Sequence, residues 1–217
     1  KEMMVGREVS GNYYRNDNDS YEDEITLKAH CITTRKDLLC FNLELHKGEV
    51  LGIGGLSECG MHTVGKALFG YEKILDGKVT VGAKQTVVKN PETAIANGIA
   101  YTSKDRDHES LGLAGSIRDN IASTGYYFNR IFGPIISFGK EKKFVQNQID
   151  TLELKCASQY HSVNTLSGGN KQKVVFGKWI GSEADVLILD CPTRGIDIGV
   201  KASMYQLIYK MKKQGKS

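Results

Sequence analysis

Two glycines that follow a serine form the most specific chemical pattern in this sequence. The segment LSGGNKQK starts at Leu166, and we expect a helix to begin at Ser167. Gly168 and Gly169 have no side chains, so the backbone N–H groups beside them can approach a phosphate closely, and the N-terminal end of a helix favours negative charge. The pattern predicts a phosphate contact, although taken alone it also fits an ordinary helix start.

A carboxylate at the end of an apolar run forms the second pattern. The run VLILD ends at Asp190, and the chain continues as Cys-Pro-Thr-Arg-Gly-Ile-Asp to Asp197. Such a run predicts a buried parallel strand. A carboxylate at the tip of a strand of this kind is where nucleotide-hydrolysing enzymes hold Mg²⁺. Asp190 is therefore the candidate magnesium ligand.

The segment GGLSECGMHTVGKALFG contains two overlapping frames of a phosphate-binding loop, whose pattern is Gly-x-x-x-x-Gly-Lys-[Ser/Thr]. The frame from Gly60 places its lysine at Lys66 but ends in Ala67, which has no hydroxyl group for Mg²⁺. The frame from Gly55 has a complete pair of glycines, but Met61 occupies its lysine position.

The strand before the loop decides between these frames. A phosphate-binding loop leaves the end of a buried strand and leads directly into a helix. Residues 50–53, Val-Leu-Gly-Ile, are predicted to form a strand that is covered on both faces. Gly55 follows almost at once, whereas Lys66 would lie inside the next helix. We therefore favour the Gly55 frame, and its nucleotide-binding positions are Gly55, Ser57, Gly60, Met61, His62 and Thr63.

The Gly55 frame has lost the groups that hold a triphosphate. Met61 cannot donate the lysine hydrogen bond, and the loss of a charge-assisted hydrogen bond costs about 1.5–3 kcal/mol, or roughly ten- to a hundredfold in affinity. His62 occupies the Ser/Thr position, and only the adjacent Thr63 could supply part of the missing hydroxyl function. The Glu58 carboxylate would repel phosphates unless it points away.

The composition gives no indication of a nucleic-acid-binding protein or of a membrane-spanning protein. The chain has 217 residues, of which 40% are hydrophobic and 25% are charged, and its net charge is +4. That charge is too small to predict a nucleic-acid partner without a localised basic patch. No stretch approaches the roughly 18 apolar residues of a membrane span, and the N-terminal segment has no signal-peptide pattern.

The cysteines and histidines show no metal spacing, so the sequence predicts no structural metal and no zinc site. The cysteines lack CxxC spacing and predict reduced thiols rather than a disulfide framework. They are Cys31, Cys40, Cys59, Cys156 and Cys191. The scattered histidines are interpreted as surface or loop residues; they are His30, His46, His108 and His161.

Strands that alternate with helices predict an α/β fold with a parallel sheet. The predicted strands lie at residues 39–45, 50–53, 79–88, 99–102 and 184–190. Asn90, followed by Pro-Glu, predicts a capped helix, and residues 116–156 are predicted to be mainly helical. The last helix carries an apolar face at spacings of three and four residues, formed by Met204, Leu207, Ile208 and Met211.

A third segment, GIAYTSKDRDHESLGL followed by SIRDNIA, allows a resemblance to be named. It resembles the second nucleotide-binding half of sugar-importer ATPases of the ABC type, and LSGGNKQK resembles the signature of that family (Leu166, Ser167, Gly168, Gly169 and Asn170). Lys104 stands where the family has a glutamate and Ser103 where it has a proline, whereas Asp105 and Arg106 match.

The resemblance runs from about Lys47 to the end, and MMVGRE at residues 3–8 is similar to the junction after the family's first half. It implies a P-loop NTPase core with a parallel sheet, an antiparallel β subdomain and a helical subdomain at about residues 115–165. Residues 1–24 would be a linker and residues 25–217 the nucleotide-binding domain. We expect that domain to be truncated before the strand that leads to the family's switch histidine.

The resemblance also implies that the two nucleotide-binding halves have different roles. In ABC ATPases two halves meet head to tail, and each ATP lies between the P-loop of one half and the signature of the other. Cys191 stands where active members have the glutamate that activates water, and Asp197 matches the D-loop aspartate at the dimer interface. General-base catalysis supplies on the order of 10²–10⁴ in rate. We therefore expect an intact signature that serves the other half, and a non-hydrolytic site around this chain's own loop.

The cofactors implied are ATP and Mg²⁺, weak or absent at this half's own site. The partners implied are the N-terminal nucleotide-binding half, permease subunits and a periplasmic-type sugar-binding protein, at the cytoplasmic face of the cell membrane. One alternative is a non-catalytic regulatory or interaction module that keeps the ABC fold. Another is an ABC ATPase of translation or DNA repair, which would usually carry a more basic surface or coiled-coil insertions.

Overall fold

The computed structural model describes residues 20–56, 58–128, 137–182 and 184–217. The strands are β1 (Ile25–Thr34), β2 (Phe41–His46), β3 (Ile74–Val81), β4 (Thr86–Val87), β5 (Ile99–Thr102) and β6 (Val186–Leu189). The helices are α1 (Met61–Leu68), α2 (Pro91–Ala96), α3 (Ile117–Phe128), α4 (Phe138–Thr151), α5 (Gly168–Ile180) and α6 (Ile198–Lys213). A short π-helix (Arg106–Ser110) and a 3₁₀ turn (Val163–Thr165) connect them.

An antiparallel sheet of order β2-β1-β3-β4 forms the first layer. One of its two inner strands, β1, is missing from the sequence prediction. Alternate residues of β1 are nevertheless apolar and buried, as in a strand with one covered face. Leu27 pairs with Val81, and Ala29 pairs with Val79. Four buried apolar side chains therefore join β1 to β3 on one face of the sheet.

Cys31 and Cys40 form a disulfide bond, so the prediction of reduced thiols is wrong for these two residues. Cys31 lies in β1, and Cys40 immediately precedes β2. The two strands pair antiparallel, with Ile32 opposite Phe41. The hairpin thus brings together two cysteines that are 9 positions apart, a proximity that could not be anticipated once β1 had been overlooked.

A parallel pair of strands forms the second sheet. β5 and β6 run side by side, with Ile99 opposite Val186 and Thr102 opposite Leu189. The predictions for residues 99–102 and 184–190 are confirmed as strands. On the other side of β6, the Leu187 N–H donates to the carbonyl oxygen of Ser217 at 2.8 Å, and the Ser217 N–H donates to the carbonyl oxygen of Asp185 at 2.9 Å. Among the described residues β6 therefore has backbone partners on both sides, as expected for a central strand, although only β5 is itself a strand.

Residues 50–53 do not form the predicted covered strand. Val50, Leu51 and Ile53 are 50%, 43% and 45% exposed, and no regular structure is assigned there. A strand needs a neighbour to take its backbone hydrogen bonds. Among the described residues none makes a backbone hydrogen bond to residues 50–53, and this segment and β6 line a groove of about 310 Å³. The apolar composition of residues 50–53 agrees with the prediction, but the predicted packing on both faces is wrong.

The helices are largely those that the sequence predicts. Asn90 caps α2 by accepting a hydrogen bond from the Thr93 N–H, which confirms the Asn-Pro start. On α4, Val145 and Ile149 face the core and are buried. In α6, Met204 and Met211 are buried. Within the described part of the chain, no helix has both the length and the apolar character needed to cross a membrane.

Candidate functional site

The glycine-rich loop leads directly into α1, which begins at Met61. Gly60 precedes the helix with a φ of 86°, in the left-handed region that favours glycine. A Cβ atom at this position would lie 2.9 Å from the Asp37 Cβ. Gly55 and Glu58 are exposed, and Ser57 lies outside the described residues. Met61 is thus the first helical residue after the second glycine of the Gly55 frame.

Lys66 lies in the last turn of α1. Its Nζ is 3.4 Å from Glu109 Oε1 and lies over the Tyr71 ring, 5.6 Å from the centroid. The side chain is therefore held by groups outside the glycine-rich loop.

His62 lies in the first turn of α1 and contacts Asp190 at the end of β6. The distance between His62 Nδ1 and Asp190 Oδ1 is 2.7 Å, and the Asp190 side chain is only 9% exposed. The hydroxyl group of Tyr101 lies 3.4 Å from the other oxygen, Oδ2. The Thr63 hydroxyl donates instead to Asp37, at 2.6 Å. The candidate magnesium ligand is thus paired with an imidazole, and the neighbouring hydroxyl is occupied by a different carboxylate.

Cys191 follows Asp190 and has a left-handed backbone, with a φ of 49°. Its thiol is free and exposed. Partial desolvation raises the pKa of the Cys191 thiol, and the adjacent Asp190 carboxylate raises it further. Burial and the same carboxylate also raise the pKa of Tyr101. Both groups are therefore protonated at neutral pH, and a protonated thiol cannot accept a proton from water.

The second predicted site lies at the start of α5, where Ser167 is the residue before the first helical turn. Ser167 is exposed and, among the described residues, no side chain caps this helix start. The first N–H groups of a helix have no acceptor within the helix. Asn170 Nδ2 donates to Ser167 Oγ at 3.1 Å, which orients the hydroxyl group. This end of the helix combines unpaired backbone donors with the positive end of the helix dipole.

Close packing also explains why both positions in the signature are glycines. A Cβ atom at Gly168 would lie 3.2 Å from the Gly195 carbonyl oxygen, and one at Gly169 would lie 2.9 Å from a methyl group of Val200. Gly169 therefore lets α5 approach α6 closely. The first turn of α6 is capped by Asp197, which accepts from the Val200 N–H at 2.9 Å. The predicted D-loop aspartate is exposed and acts in this structure as a helix cap.

Sequence reasoning missed two contacts that join these elements. Arg106 Nη1 donates to the Gly168 carbonyl oxygen at 2.9 Å, so the segment after β5 is tied to the signature. Ser103 Oγ donates to the Glu109 carboxylate, the same group that pairs with Lys66. Arg106 matches the family segment, but no pattern in the sequence indicates its hydrogen-bond acceptor.

The model of the ABC transporter family matches residues 38–194 of this chain. The chain belongs to the ABC transporter family. The ABC match covers the glycine-rich loop, the signature and the strand that ends at Asp190. It also confirms the resemblance that the motifs had indicated.

Curated ABC proteins of sugar import are similar over nearly the whole chain. The chain is 35% identical over 213 residues to the ribose import ATP-binding protein RbsA of Shouchella clausii, covering 98% of this chain and 42% of that protein. It is 36% identical over 214 residues to the arabinose import ATP-binding protein AraG of Pectobacterium atrosepticum, covering 99% and 42%. The chain thus spans less than half the length of the curated relatives it matches.

Solved ABC structures share the fold. An ATP-binding cassette crystallised as a dimer in a post-hydrolysis state, with ADP and Pi, has a TM-score of 0.76 at 20% identity. The match covers 88% of this chain and 84% of that one. An ABC transporter ATP-binding protein from Pyrococcus furiosus has a TM-score of 0.66 at 18% identity, covering 88% of each chain. The predicted P-loop NTPase fold with parallel and antiparallel sheets is confirmed.

Proposed function

We propose that this chain is the second nucleotide-binding half of an ATP-binding protein that drives sugar import. In this role it presents its signature, Leu166 to Asn170, to the ATP bound by the other half. Its own site, around the glycine-rich loop, neither binds Mg·ATP tightly nor hydrolyses it. The sugar assignment is supported by the names of the ribose and arabinose relatives.

The contact between His62 and Asp190 carries the proposal of a degenerate site. Mg²⁺ prefers oxygen ligands in octahedral geometry, whereas the residue facing Asp190 presents an imidazole nitrogen at 2.7 Å. Met61 has no charge to offer a phosphate, and Thr63 donates to Asp37. The residues present therefore do not fit Mg·ATP, and we assign no catalytic step to the site formed by the glycine-rich loop and Asp190.

The start of α5 supports the proposal that this chain offers hydrogen-bond donors to an ATP bound by the other half. It offers backbone N–H groups and an exposed serine hydroxyl at a helix N-terminus, which together suit a phosphate. Arg106 Nη1 donates a hydrogen bond to the carbonyl oxygen of Gly168, which anchors the first residue of α5. An ATP held by another nucleotide-binding half would find donors here without a change in the fold.

The proposal implies further partners. These are the N-terminal nucleotide-binding half, a pair of permease subunits, and a periplasmic-type binding protein that delivers the sugar. The complex would lie at the cytoplasmic face of the membrane.

Nucleotide titration of the full 217-residue chain tests the degenerate site. We expect no saturable ATP binding in the micromolar range and no phosphate release, with or without Mg²⁺. Sub-micromolar affinity for ATP, or turnover that depends on Mg²⁺, would contradict the proposal.

Turnover after addition of the N-terminal half tests the donated signature. We expect ATP hydrolysis to require both polypeptides and to be lost in the Ser167→Arg variant, whose side chain would occupy the phosphate position. Asn164→Ala, a change at an exposed residue just before the signature, is the matched control and should leave the rate unchanged. Equal rates for both variants would show that the signature does not contact the nucleotide.

A further inference from the structure

Three potential metal ligands of different kinds meet beside the glycine-rich loop. They are the imidazole of His62, the carboxylate of Asp190 and the thiol of Cys191. Their ligand atoms all lie within 4.8 Å of one another. We propose that this triad is a binding site for a divalent transition metal ion of the zinc type, which occupies the corner in place of Mg²⁺. The proposal deepens the proposed loss of the Mg·ATP site and rests on it.

The ligand set decides which class of ion fits. Zn²⁺ binds His nitrogen, carboxylate oxygen and Cys sulfur at about 2.0–2.3 Å, usually with four ligands in a tetrahedron. Thiolate ligands select zinc-like ions, whereas Mg²⁺ requires oxygen. Three protein ligands leave a fourth position for water or another small ligand, an arrangement typical of open zinc sites.

The separations between the three ligand atoms lie on either side of the separation expected in a tetrahedral zinc site. Two nitrogen or oxygen ligands of one tetrahedral zinc ion lie about 3.3 Å apart, as the bond lengths require. His62 Nδ1 and Asp190 Oδ1 are 2.7 Å apart, which is a hydrogen-bond distance, so these two atoms must separate by about 0.6 Å to bind one ion. The widest separation, up to 4.8 Å, shortens by rotation of the exposed Cys191 side chain about its Cα–Cβ bond.

The backbone supports the two more rigid ligands. His62 belongs to the first turn of α1. Asp190 directly follows β6, and its N–H donates to the Thr102 carbonyl oxygen at 2.9 Å. Tyr101 lies 3.4 Å from the second carboxylate oxygen and stacks on Phe69, with ring centroids 5.3 Å apart. Such outer contacts orient a metal ligand and raise its affinity.

Binding involves a simple exchange of protons. The ion accepts lone pairs from the imidazole nitrogen, the carboxylate and the thiolate of Cys191. The thiol proton of Cys191 goes to solvent. The imidazole of His62 stays neutral and carries its proton on Nε2, so the lone pair of Nδ1 is free for the ion. No oxidant or reductant takes part.

Titration of the tag-free, chelator-treated chain with Co²⁺ tests the site. We expect one equivalent to produce a thiolate-to-cobalt charge-transfer band, which Zn²⁺ removes and excess Mg²⁺ does not. Cys191→Ser should abolish the band, and His62→Ala should weaken binding at least about tenfold. Cys59→Ser, at another free and exposed cysteine in the same loop region, is the matched control and should keep the band.

A second measurement needs no variant. Zn²⁺ should protect Cys191 of the wild-type chain from alkylation, as measured by mass spectrometry, while Cys59 stays reactive. The site is refuted if the folded chain shows no saturable Co²⁺ binding, if Mg²⁺ displaces the ion, or if Cys59 is protected instead. Weak ATP binding together with any of these results would refute the metal site alone, whereas tight Mg·ATP binding would refute the proposed function.

Discussion

Arg106 Nη1 donates a hydrogen bond of 2.9 Å to the carbonyl oxygen of Gly168. The guanidinium group thereby joins the segment after β5 to the first residue of α5. A hydrogen bond to a charged group contributes about 1.5–3 kcal/mol. The Arg106 side chain is 18% exposed, so we expect the lower end of this range.

Arg106→Ala should therefore destabilise the chain by about 1.5 kcal/mol and lower the thermal midpoint by roughly 3–6 °C. Amide hydrogen exchange should accelerate at the start of α5. Calorimetry and exchange measured by mass spectrometry check both effects. Arg35→Ala, at an exposed arginine, is the control, and an equal loss in both variants would remove the special role of Arg106.

Restoring the missing groups should restore nucleotide binding. The double variant Met61→Lys, His62→Ser should bind ATP roughly ten- to a hundredfold more tightly than the wild-type chain, because a charge-assisted hydrogen bond returns. Isothermal titration calorimetry measures the change. Adding Lys66→Ala to the double variant should leave its ATP affinity unchanged, since Lys66 contacts Glu109 and Tyr71. A large loss of affinity on adding Lys66→Ala would instead favour the Gly60 frame.

The helical region depends on one buried ion pair. Glu141 in α4 is fully buried and accepts a hydrogen bond from Arg118 Nε. Arg118→Ala removes the cationic partner of this buried carboxylate and should cost about 3 kcal/mol. Chemical denaturation measures the loss, and the second change Glu141→Gln should recover part of it. Lys142→Ala, at the exposed neighbour, should be neutral; a neutral Arg118→Ala would contradict the role of the pair.

The disulfide between Cys31 and Cys40 closes a short loop in the antiparallel sheet. Its loss frees the unfolded chain, and loop closure of this length is worth roughly 2–3 kcal/mol. We expect the double variant Cys31→Ala, Cys40→Ala to melt at a lower temperature than the oxidised wild type. Thiol titration of the unfolded, unreduced protein should detect three free cysteines. Five reactive thiols without reductant would exclude the bond.

A surface pair near the signature should respond to pH. Asp105 hydrogen-bonds His108, which raises the pKa of His108 and lowers the pKa of Asp105. The His108 contribution to stability is therefore complete below its unfolded pKa and is lost as pH rises through its higher folded pKa. The Asp105 contribution is complete above its unfolded pKa and is lost as pH falls through its lower folded pKa. The pair therefore stabilises the fold most at acidic pH, between the titration of Asp105 and the titration of His108.

NMR titration of the His108 ring checks this pair. Asp105→Asn should return the pKa of His108 toward its ordinary value. Asp185→Asn, whose carboxylate pairs with Lys216, should not change it. A His108 titration that is the same in all three proteins would contradict the contact.

The sequence predicts features whose cause is local. Asn90 before a proline specifies the start of α2, and the apolar face through Met204 and Met211 specifies a helix packed on the core. The failures come from contacts made at long range. Residues 50–53 are apolar, but whether they form a strand depends on a neighbouring backbone. The disulfide depends on the pairing of β1 with β2, and β1 was overlooked despite its alternating Leu27 and Ala29.

In the candidate site, too, local patterns predict the positions of residues but not the long-range contacts between them. The positions of Ser167 at a helix start and Asp190 at a strand end follow from local pattern. The partner of Asp190 does not, because His62 is remote in sequence and was interpreted only as a replacement for a hydroxyl. The meeting of His62 with Cys191 likewise emerges only when α1 and β6 are brought together.

The missing side chain at Gly169 sets how closely the starts of two helices can lie. A methyl substituent there would lie 2.9 Å from a methyl group of Val200, closer than two carbon atoms normally approach. Any larger residue at this position would therefore push the starts of α5 and α6 apart, and the serine that precedes α5 would shift relative to the aspartate that caps α6.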